Sequence, residues 1–187
     1  MSRAGRIGSF YAVDSGIVRR ILVLSLVLVL GATGSTAWGL TAGTGDDSGN
    51  PNNTALGDDS IAGGDGSTVV GEQANALGDG GTAVGRLSQA SGTLSTAIGT
   101  SSRATGDFST AVGEDSQAPE TYSTAIGQSS WAYGVNSTTL GNNSYADSQD
   151  GTALGADAQA LATGSVAIGQ GAVADQANTV SVGIVGG

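Results

Sequence analysis

Apolar positions recur with a fixed period along most of the chain. At ten positions spaced 14 residues apart, from Gly57 to Gly183, a Gly follows an aliphatic residue. Three residues after each of the first nine of these Gly residues stands Ser or Ala, and five residues after it stands Ala. Disordered low-complexity sequence does not keep phase over nine periods, so this regularity predicts a solenoid.

The length of the repeat indicates the kind of solenoid. Fourteen residues are too few for a helix-turn-helix unit, but they hold two strands of about 4–5 residues and two corners assisted by Gly. The sequence therefore predicts an all-β, parallel β-solenoid of ten 14-residue repeats. With strands stacked about 4.8 Å apart, ten coils would make a rod of about 45 Å.

The strand pattern predicts which side chains share a face. The aliphatic residue and the Thr two positions before it should point one way, and the intervening Ala the other. We expect the aliphatic row to form the repeat core, opposite Ala and Ser of the second strand; its central members are Ile98, Val112, Ile126, Leu140, Leu154 and Ile168. So narrow a coil buries little apolar area, which favours lateral association of several rods.

The N-terminal segment has a different pattern. Ile21–Leu40 carries no charge and follows a basic stretch, so residues 1–40 are predicted to be a signal peptide or an N-terminal membrane anchor. The small residues Ser35-Thr36-Ala37 offer a cleavage site. Either reading implies export. Residues 41–52 are predicted to be a polar linker, 53–183 the repeats and 184–187 a C-terminal tail.

Composition removes several classes of function. The 187 residues include no Cys, His or Lys, and the net charge is −10. This excludes a Ser-His-Asp triad, a thiolate nucleophile, a zinc finger and a P-loop. An unbroken repeat also offers no distinct cleft, so we expect no enzyme, no cofactor and no metal site. Residues 41–187 hold 15 acidic side chains against Arg86 and Arg103, and a surface this acidic repels nucleic acid.

The repeat motifs resemble a known family. The strings STAIG at Ser95–Gly99 and Ser123–Gly127, and SVAIG at Ser165–Gly169, look like the head domain of trimeric autotransporter adhesins, the YadA-like left-handed parallel β-roll. The resemblance covers about residues 53–183. It implies a homotrimer of parallel rolls packed around one axis. The family's coiled-coil stalk and membrane-anchoring barrel have no counterpart in this sequence, in which residues 178–183 resemble only the opening of the neck.

Residues 14 apart should stack, which groups several candidate site residues. Leu94, Phe108 and Tyr122 fall at one coil position, and Trp131 and Tyr145 fall at another with Tyr133 nearby. They are candidate adhesive ladders, since exposed aromatic clusters mark recognition sites; the alternative is that they cover seams between protomers. Three N-x-[ST] sequons make Asn52, Asn136 and Asn142 candidate glycosylation sites.

Two other columns suggest weaker hypotheses. Asp65, Asp79 and Asp107 share a coil position and could bridge Ca²⁺, although the nonapeptide of calcium-binding rolls is absent. The Thr column, Thr54 to Thr152, suggests an ice-binding face, but it shares its face with the aliphatic row and is expected to be buried.

The predicted function is that of a cell-surface adhesin head. Its partners would be two further copies of itself and a surface protein or glycan ligand on host, surface or neighbouring cells, with membrane contact only through the N-terminal segment. Repetition in three copies would raise avidity without strong single contacts. The alternative is a purely structural surface or fibre spacer without a ligand, and an exposed aromatic stripe would favour adhesion over it.

Overall fold

The chain is an all-β parallel solenoid over the part that the structure describes. The computed structural model describes residues 40–42, 45–49 and 52–183, and all of them lie in one unit, Thr36–Gly187. Twenty short strands in these ranges form two parallel sheets, without a helix. The predicted fold class is confirmed. The predicted signal peptide or anchor, apart from Leu40, and the tail 184–187 lie outside the described residues.

Sheet A and sheet B are the two walls of the solenoid. The eleven strands of sheet A are β1 Leu40–Ala42, β2 Thr54–Leu56, β4 Thr68–Val70, β6 Thr82–Val84, β8 Thr96–Ile98, β10 Thr110–Val112, β12 Thr124–Ile126, β14 Thr138–Leu140, β16 Thr152–Leu154, β18 Val166–Ile168 and β20 Val180–Val182. The nine of sheet B are β3 Ile61–Ala62, β5 Asn75–Ala76, β7 Gln89–Ala90, β9 Arg103–Ala104, β11 Gln117–Ala118, β13 Trp131–Ala132, β15 Tyr145–Ala146, β17 Gln159–Ala160 and β19 Val173–Ala174. These strands of two or three residues are shorter than predicted.

The register between coils follows the sequence period. Thr110 of β10 pairs in parallel with Thr96 of β8 on one side and with Thr124 of β12 on the other. In sheet B, Trp131 of β13 pairs with Tyr145 of β15. Residues 14 apart therefore lie side by side in the sheets, as predicted, and each coil position becomes a row along the solenoid.

The interior between the two sheets holds only small side chains. The middle residue of each central sheet A strand, such as Ala97 or Ala111, and the second residue of each sheet B strand, such as Ala104 or Ala118, are fully buried. Rows of buried Ser accompany them, and Val69 is the largest side chain buried to this degree in the described part. The space between the sheets is therefore about as wide as two opposed Cβ groups.

The predicted repeat core is wrong in its direction. Ile98, Ile126, Leu140 and Ile168 are 40%, 37%, 50% and 39% exposed, while Val112 and Leu154 are half-buried, all on the outer face of sheet A. A strand of three residues points its middle side chain inward and its first and last outward. Small residues, mostly Ala, occupy the middle position and face the narrow interior, so the aliphatic residues on either side of it face outward.

Two corners connect the walls of each coil, and both use left-handed backbone. Corner 1 follows the repeat Gly, as at Asp58–Asp59, and corner 2 follows sheet B, as at Asp65–Gly66. The second residue of each corner has a φ of 52–67° across the described coils from Asp59 to Asn178. This conformation favours Gly, Asn and Asp, which explains much of the composition of these positions.

The solenoid begins one coil earlier than predicted. β1, at Leu40–Ala42, pairs with β2 in the 14-residue register, and Asp46 forms a parallel bridge with Ile61. The predicted linker 41–52 therefore includes part of a coil. Asp46 and its bridge partner Ile61 are 15 residues apart rather than 14. The chain between the two walls is one residue shorter in this coil than in the later ones. In the sequence of this coil Ala42 stands where the later repeats have an aliphatic residue before Gly, so the 14-residue motif does not include it.

Candidate binding surfaces

The outer face of sheet A carries two parallel rows, one of Thr and one of aliphatic residues. The predicted common face of Thr and aliphatic residue is confirmed, but it is the outer face, and the Thr side chains are half-buried rather than enclosed. Both rows are most exposed at their C-terminal end, where Val180 at the Thr position and Val182 in the aliphatic row are 64% and 70% exposed. No second Thr row lies beside the first, so the face lacks the paired Thr array of the ice-binding hypothesis.

A second surface lies along corner 2 and is apolar in three successive coils. We call Leu94, Phe108 and Tyr122 the corner ladder; they are 57%, 46% and 56% exposed. The rings of Phe108 and Tyr122 stack with centroids 5.1 Å apart and planes 13° apart. The predicted stacking of this column is therefore confirmed.

The corner ladder occupies left-handed backbone. The φ angles of Leu94, Phe108 and Tyr122 are 53°, 58° and 59°. A residue with a bulky side chain adopts this conformation at a cost of about 1–2 kcal/mol. In the other described coils the same position is held by Gly, Asn or Asp: Gly66, Gly80, Asn136, Asp150, Gly164 and Asn178. Three consecutive coils thus carry residues that the corner itself disfavours.

A third surface is the sheet B cluster, which consists of Trp131, Tyr133 and Tyr145. The ring centroids are 6.2 Å apart for Trp131 and Tyr133, 6.2 Å for Trp131 and Tyr145, and 6.0 Å for the two Tyr rings. Tyr145 meets both other rings nearly edge to face. The predicted proximity of the three residues is confirmed, although all three are only half-exposed.

Hydrogen bonds fix the two tyrosines of the sheet B cluster. The Tyr133 hydroxyl donates to Oε1 of Gln117 at 2.9 Å, and the Tyr145 hydroxyl donates to Oδ1 of Asp147 at 2.9 Å. The Trp131 Nε1 is buried and has no partner within the described chain. Gln117 is the outward-facing residue of β11, and Asp147 directly follows β15. Sequence reasoning missed both residues, although these coil positions could have indicated them.

The environment of Tyr145 predicts a shifted titration. Burial, the hydrogen bond to Asp147 and the charge of that carboxylate all raise the pKa of Tyr145 above its ordinary value of 10.0. The folded state therefore favours the neutral phenol of Tyr145. The contribution of this residue to folding stability is fully present below the pKa of the unfolded chain, and it is lost as the pH rises through the raised pKa of the folded state. We expect Asp147→Asn to lower the pKa of Tyr145 and burial to keep it above 10.0.

Absorbance titration of tyrosinate checks this expectation, with Tyr145→Phe identifying the transition that belongs to this residue. A Tyr145 pKa that does not move in Asp147→Asn would contradict the assigned role of the carboxylate.

The acidic column at corner 2 has a structural role between coils. Oδ1 of Asp79 accepts the backbone N–H of Asp65 at 3.0 Å, and Oδ1 of Asp107 accepts the backbone N–H of Thr93 at 2.8 Å. Each carboxylate thus bonds to the coil before its own. Across the described ranges, no three acidic residues lie close enough together to hold a metal ion. Hydrogen bonds between coils therefore give Asp79 and Asp107 a structural role.

The three sequon asparagines are exposed. Asn136 lies in corner 2, where its Nδ2 donates to Oδ1 of Asp150 at 3.1 Å, and Asn142 lies in corner 1 beside Gln128. Asn52 lies just before β2. Two of the three sequons therefore lie at exposed corners, whereas glycosylation itself stays a prediction.

These observations define a class of protein: a narrow parallel β-solenoid with one flat apolar face and acidic corners. Within that class, the family model for the YadA head domain repeat (2 copies) matches residues 51–67, 62–88, 90–116, 118–144, 146–172 and 160–183. The chain belongs to this family, as the resemblance of its motifs indicated. Residues 1–39 lie outside both these matches and the described part.

Comparison with individual proteins gives a more distant relative. No curated protein matches the chain. Among solved structures, the crystal structure of the collagen-binding domain of the Yersinia adhesin YadA is similar, with 27% sequence identity and a TM-score of 0.41. The similarity covers 72% of this chain and spans 59% of the chain of that structure.

Proposed function

We propose that this protein is the head of a homotrimeric, exported adhesin that attaches its cell to host, surface or neighbouring cells. The observation that carries the proposal is the outer face of sheet A. Its aliphatic row runs through every coil from Leu56 to Val182, and all of its members are partly exposed in a single chain. A contiguous apolar face of this kind marks an interaction surface.

The arrangement of this face favours association along the whole solenoid. The rows are continuous because neighbouring sheet A strands pair in the same 14-residue register, so parallel copies could match row against row. The interior of one coil contributes little apolar burial, since its side chains are Ala and Ser. The aliphatic side chains would supply the missing burial at a common axis. Three copies are the number that the YadA-like resemblance implies.

Adhesion then follows from repetition of the exposed surfaces. With sheet A turned to the axis, sheet B would face outward in each copy. A rigid trimer would present every exposed feature three times, which raises avidity without strong individual contacts. The aromatic residues of the corner ladder and the sheet B cluster are the candidate contact residues, and their exposure supports adhesion over a spacer without a ligand.

The oligomeric state of the purified chain tests the proposal. We expect light scattering to give three times the chain mass both in low salt and in about 2 M salt, where the Debye length is only a few ångströms. Apolar burial at the axis should survive that screening, while charge repulsion between copies should weaken. A folded monomer under both conditions would contradict the trimeric head.

A further inference from the structure

We propose that the corner ladder and the sheet B cluster form one aromatic patch that binds a cationic, Arg- or Lys-rich segment of a partner protein. This inference rests on the proposed adhesive function and names the class of partner that it would take.

The register of the coils places the two groups at the same edge of sheet B. Tyr133 lies 14 residues after Pro119, and Tyr122 follows Pro119 by three residues into corner 2. The backbone N–H of Asn136 donates to the carbonyl oxygen of Thr121 at 3.1 Å. The corner that follows Tyr133 thus lies against the corner that carries Tyr122. The ladder and the cluster are therefore neighbours in adjacent coils.

The fold does not require these aromatic residues. The interior of the described coils is built mainly from Ala and Ser, and every aromatic side chain in the described part of the chain falls between Phe108 and Tyr145. A seam between copies would run the length of the solenoid, as the aliphatic row of sheet A does. The patch instead occupies a few coils in the middle, which is typical of a site for a separate ligand.

The corner ladder carries two separate costs. Its side chains are about half exposed, and its residues hold a backbone conformation that Gly, Asn or Asp would adopt more easily. Such strain is stored preferentially where function requires it. Leu87 is the comparison: it is 37% exposed with a φ of 60°, but it lies alone in corner 1, and single exposed apolar residues are ordinary.

Charge complementarity indicates the partner. From residue 104 to residue 183 the chain has eight acidic residues and no basic one. Asp107 and Glu120 flank the ladder in sequence, and the carboxylate of Asp147 bonds to Tyr145 in the cluster. Aromatic rings attract cations, and a guanidinium group can stack on a ring while it pairs with a carboxylate. The patch combines both kinds of acceptor.

The test compares substitutions that suit the fold. In the double variant Phe108→Asn/Tyr122→Asn, both residues become one that corner 2 already uses at Asn136, so the backbone strain falls. Trp131→Gln introduces the residue found at the same position in β11 and β17. Leu87→Asn is the matched control, since it gives the same relief of strain at a corner outside the patch.

The probe is a labelled peptide of alternating Arg and Ser, measured beside its counterpart with Gln in place of Arg. We expect the natural chain to bind the Arg peptide in preference and to bind it more weakly as salt rises. The double variant and Trp131→Gln should each lose about tenfold in affinity, whereas Leu87→Asn should not.

Several results would overturn the inference. Equal binding of the Gln peptide, no binding of either peptide, or salt-independent binding of a neutral oligosaccharide at the patch would refute a cationic partner. Loss of the trimer in the double variant would show that the ladder is a seam between copies. The proposed function fails separately: a natural chain that is monomeric but binds the Arg peptide would contradict the trimeric head while leaving the patch intact.

Discussion

Gly99→Ala is expected to destabilise the solenoid by about 4 kcal/mol or more, enough to prevent a stable fold. The φ of Gly99 is +132°, a region that residues with a Cβ rarely adopt. An added Cβ would lie 2.5 Å from the carbonyl oxygen of Gly113 and 2.6 Å from its carbon. These atoms are backbone of the next coil, so no side chain can move aside. The coils would have to separate at this point.

Urea denaturation followed by circular dichroism measures this effect, and Gly66→Asn is the matched control. Gly66 also has positive φ, +67°, but open space surrounds the position where a Cβ would be added. Asn adopts this conformation in the same corner at Asn136, so we expect a change within about 0.5 kcal/mol. Equal urea midpoints for Gly99→Ala and the natural chain would show that the close approach between coils is not a requirement.

The contrast between these two glycines shows what the repeat alone can predict. Ten Gly residues at intervals of 14 predict a solenoid, its two-stranded coil and the stacking of equivalent positions, because only a periodic structure needs a periodic sequence. Gly99 belongs to the row that is Gly in all ten repeats, and an added Cβ there would meet the backbone of the next coil. Gly66 lies in a row that other residues also occupy, and the space beside it is open. The period therefore marks Gly99 as a required Gly, whereas the distances that explain the requirement come only from the structure.

The direction of the side chains is the point at which sequence reasoning went wrong. The alternation of side chains correctly placed Thr124 and Ile126 on one face of the strand and Ala125 on the other. It does not indicate which of the two faces points into the coil. The general rule that large aliphatic residues lie inside placed Ile126 in the coil. Residue size indicates the opposite direction: a row that is Ala in nearly every coil marks the narrow interior, so the larger Thr and Ile of the same strand must lie on the outer face.

The aromatic surfaces were predictable in part for the same reason. Equal spacing predicts that Phe108 stacks on Tyr122, which the structure confirms. It does not reveal that both residues have left-handed backbone, because that depends on where the corner turns. Gln117 and Asp147 were missed because each lies two coil positions away from the Tyr whose hydroxyl donates to it. Equal spacing groups only residues of the same row, and these partners lie on a different row from their Tyr.

Ile126→Glu is expected to convert the trimer to a monomer without unfolding the coil. Ile126 is 37% exposed in a single chain, so the coil interior is untouched by the substitution. In the proposed trimer it would place three carboxylates near the common axis. Burying an unpaired charge costs several kcal/mol, and the three like charges repel one another as well. At micromolar concentration we expect light scattering to report one chain mass, with the circular dichroism spectrum unchanged.

Two controls separate the effect of charge from the effects of substitution and of added acidity. Ile126→Met keeps an apolar side chain of similar size at the same place and should remain trimeric. Gln159→Glu adds the same charge to the exposed outer side of sheet B and should also remain trimeric. A monomer in Gln159→Glu would mean that acidity alone separates the copies, and a trimer in Ile126→Glu would remove sheet A from the interface.

Acid should reverse the effect of Ile126→Glu. Burial disfavours the charged carboxylate, so assembly would raise the pKa of Glu at this position above its ordinary value of about 4.3. The trimer would bind protons that the monomer releases, and association must therefore strengthen as pH falls through that raised pKa. Light scattering of the variant between neutral pH and about pH 4 should show trimer returning while the natural chain stays trimeric throughout. Reassembly on protonation would place the carboxylate in the apolar interface, whereas a variant that stays monomeric at low pH would point to damaged packing instead of charge.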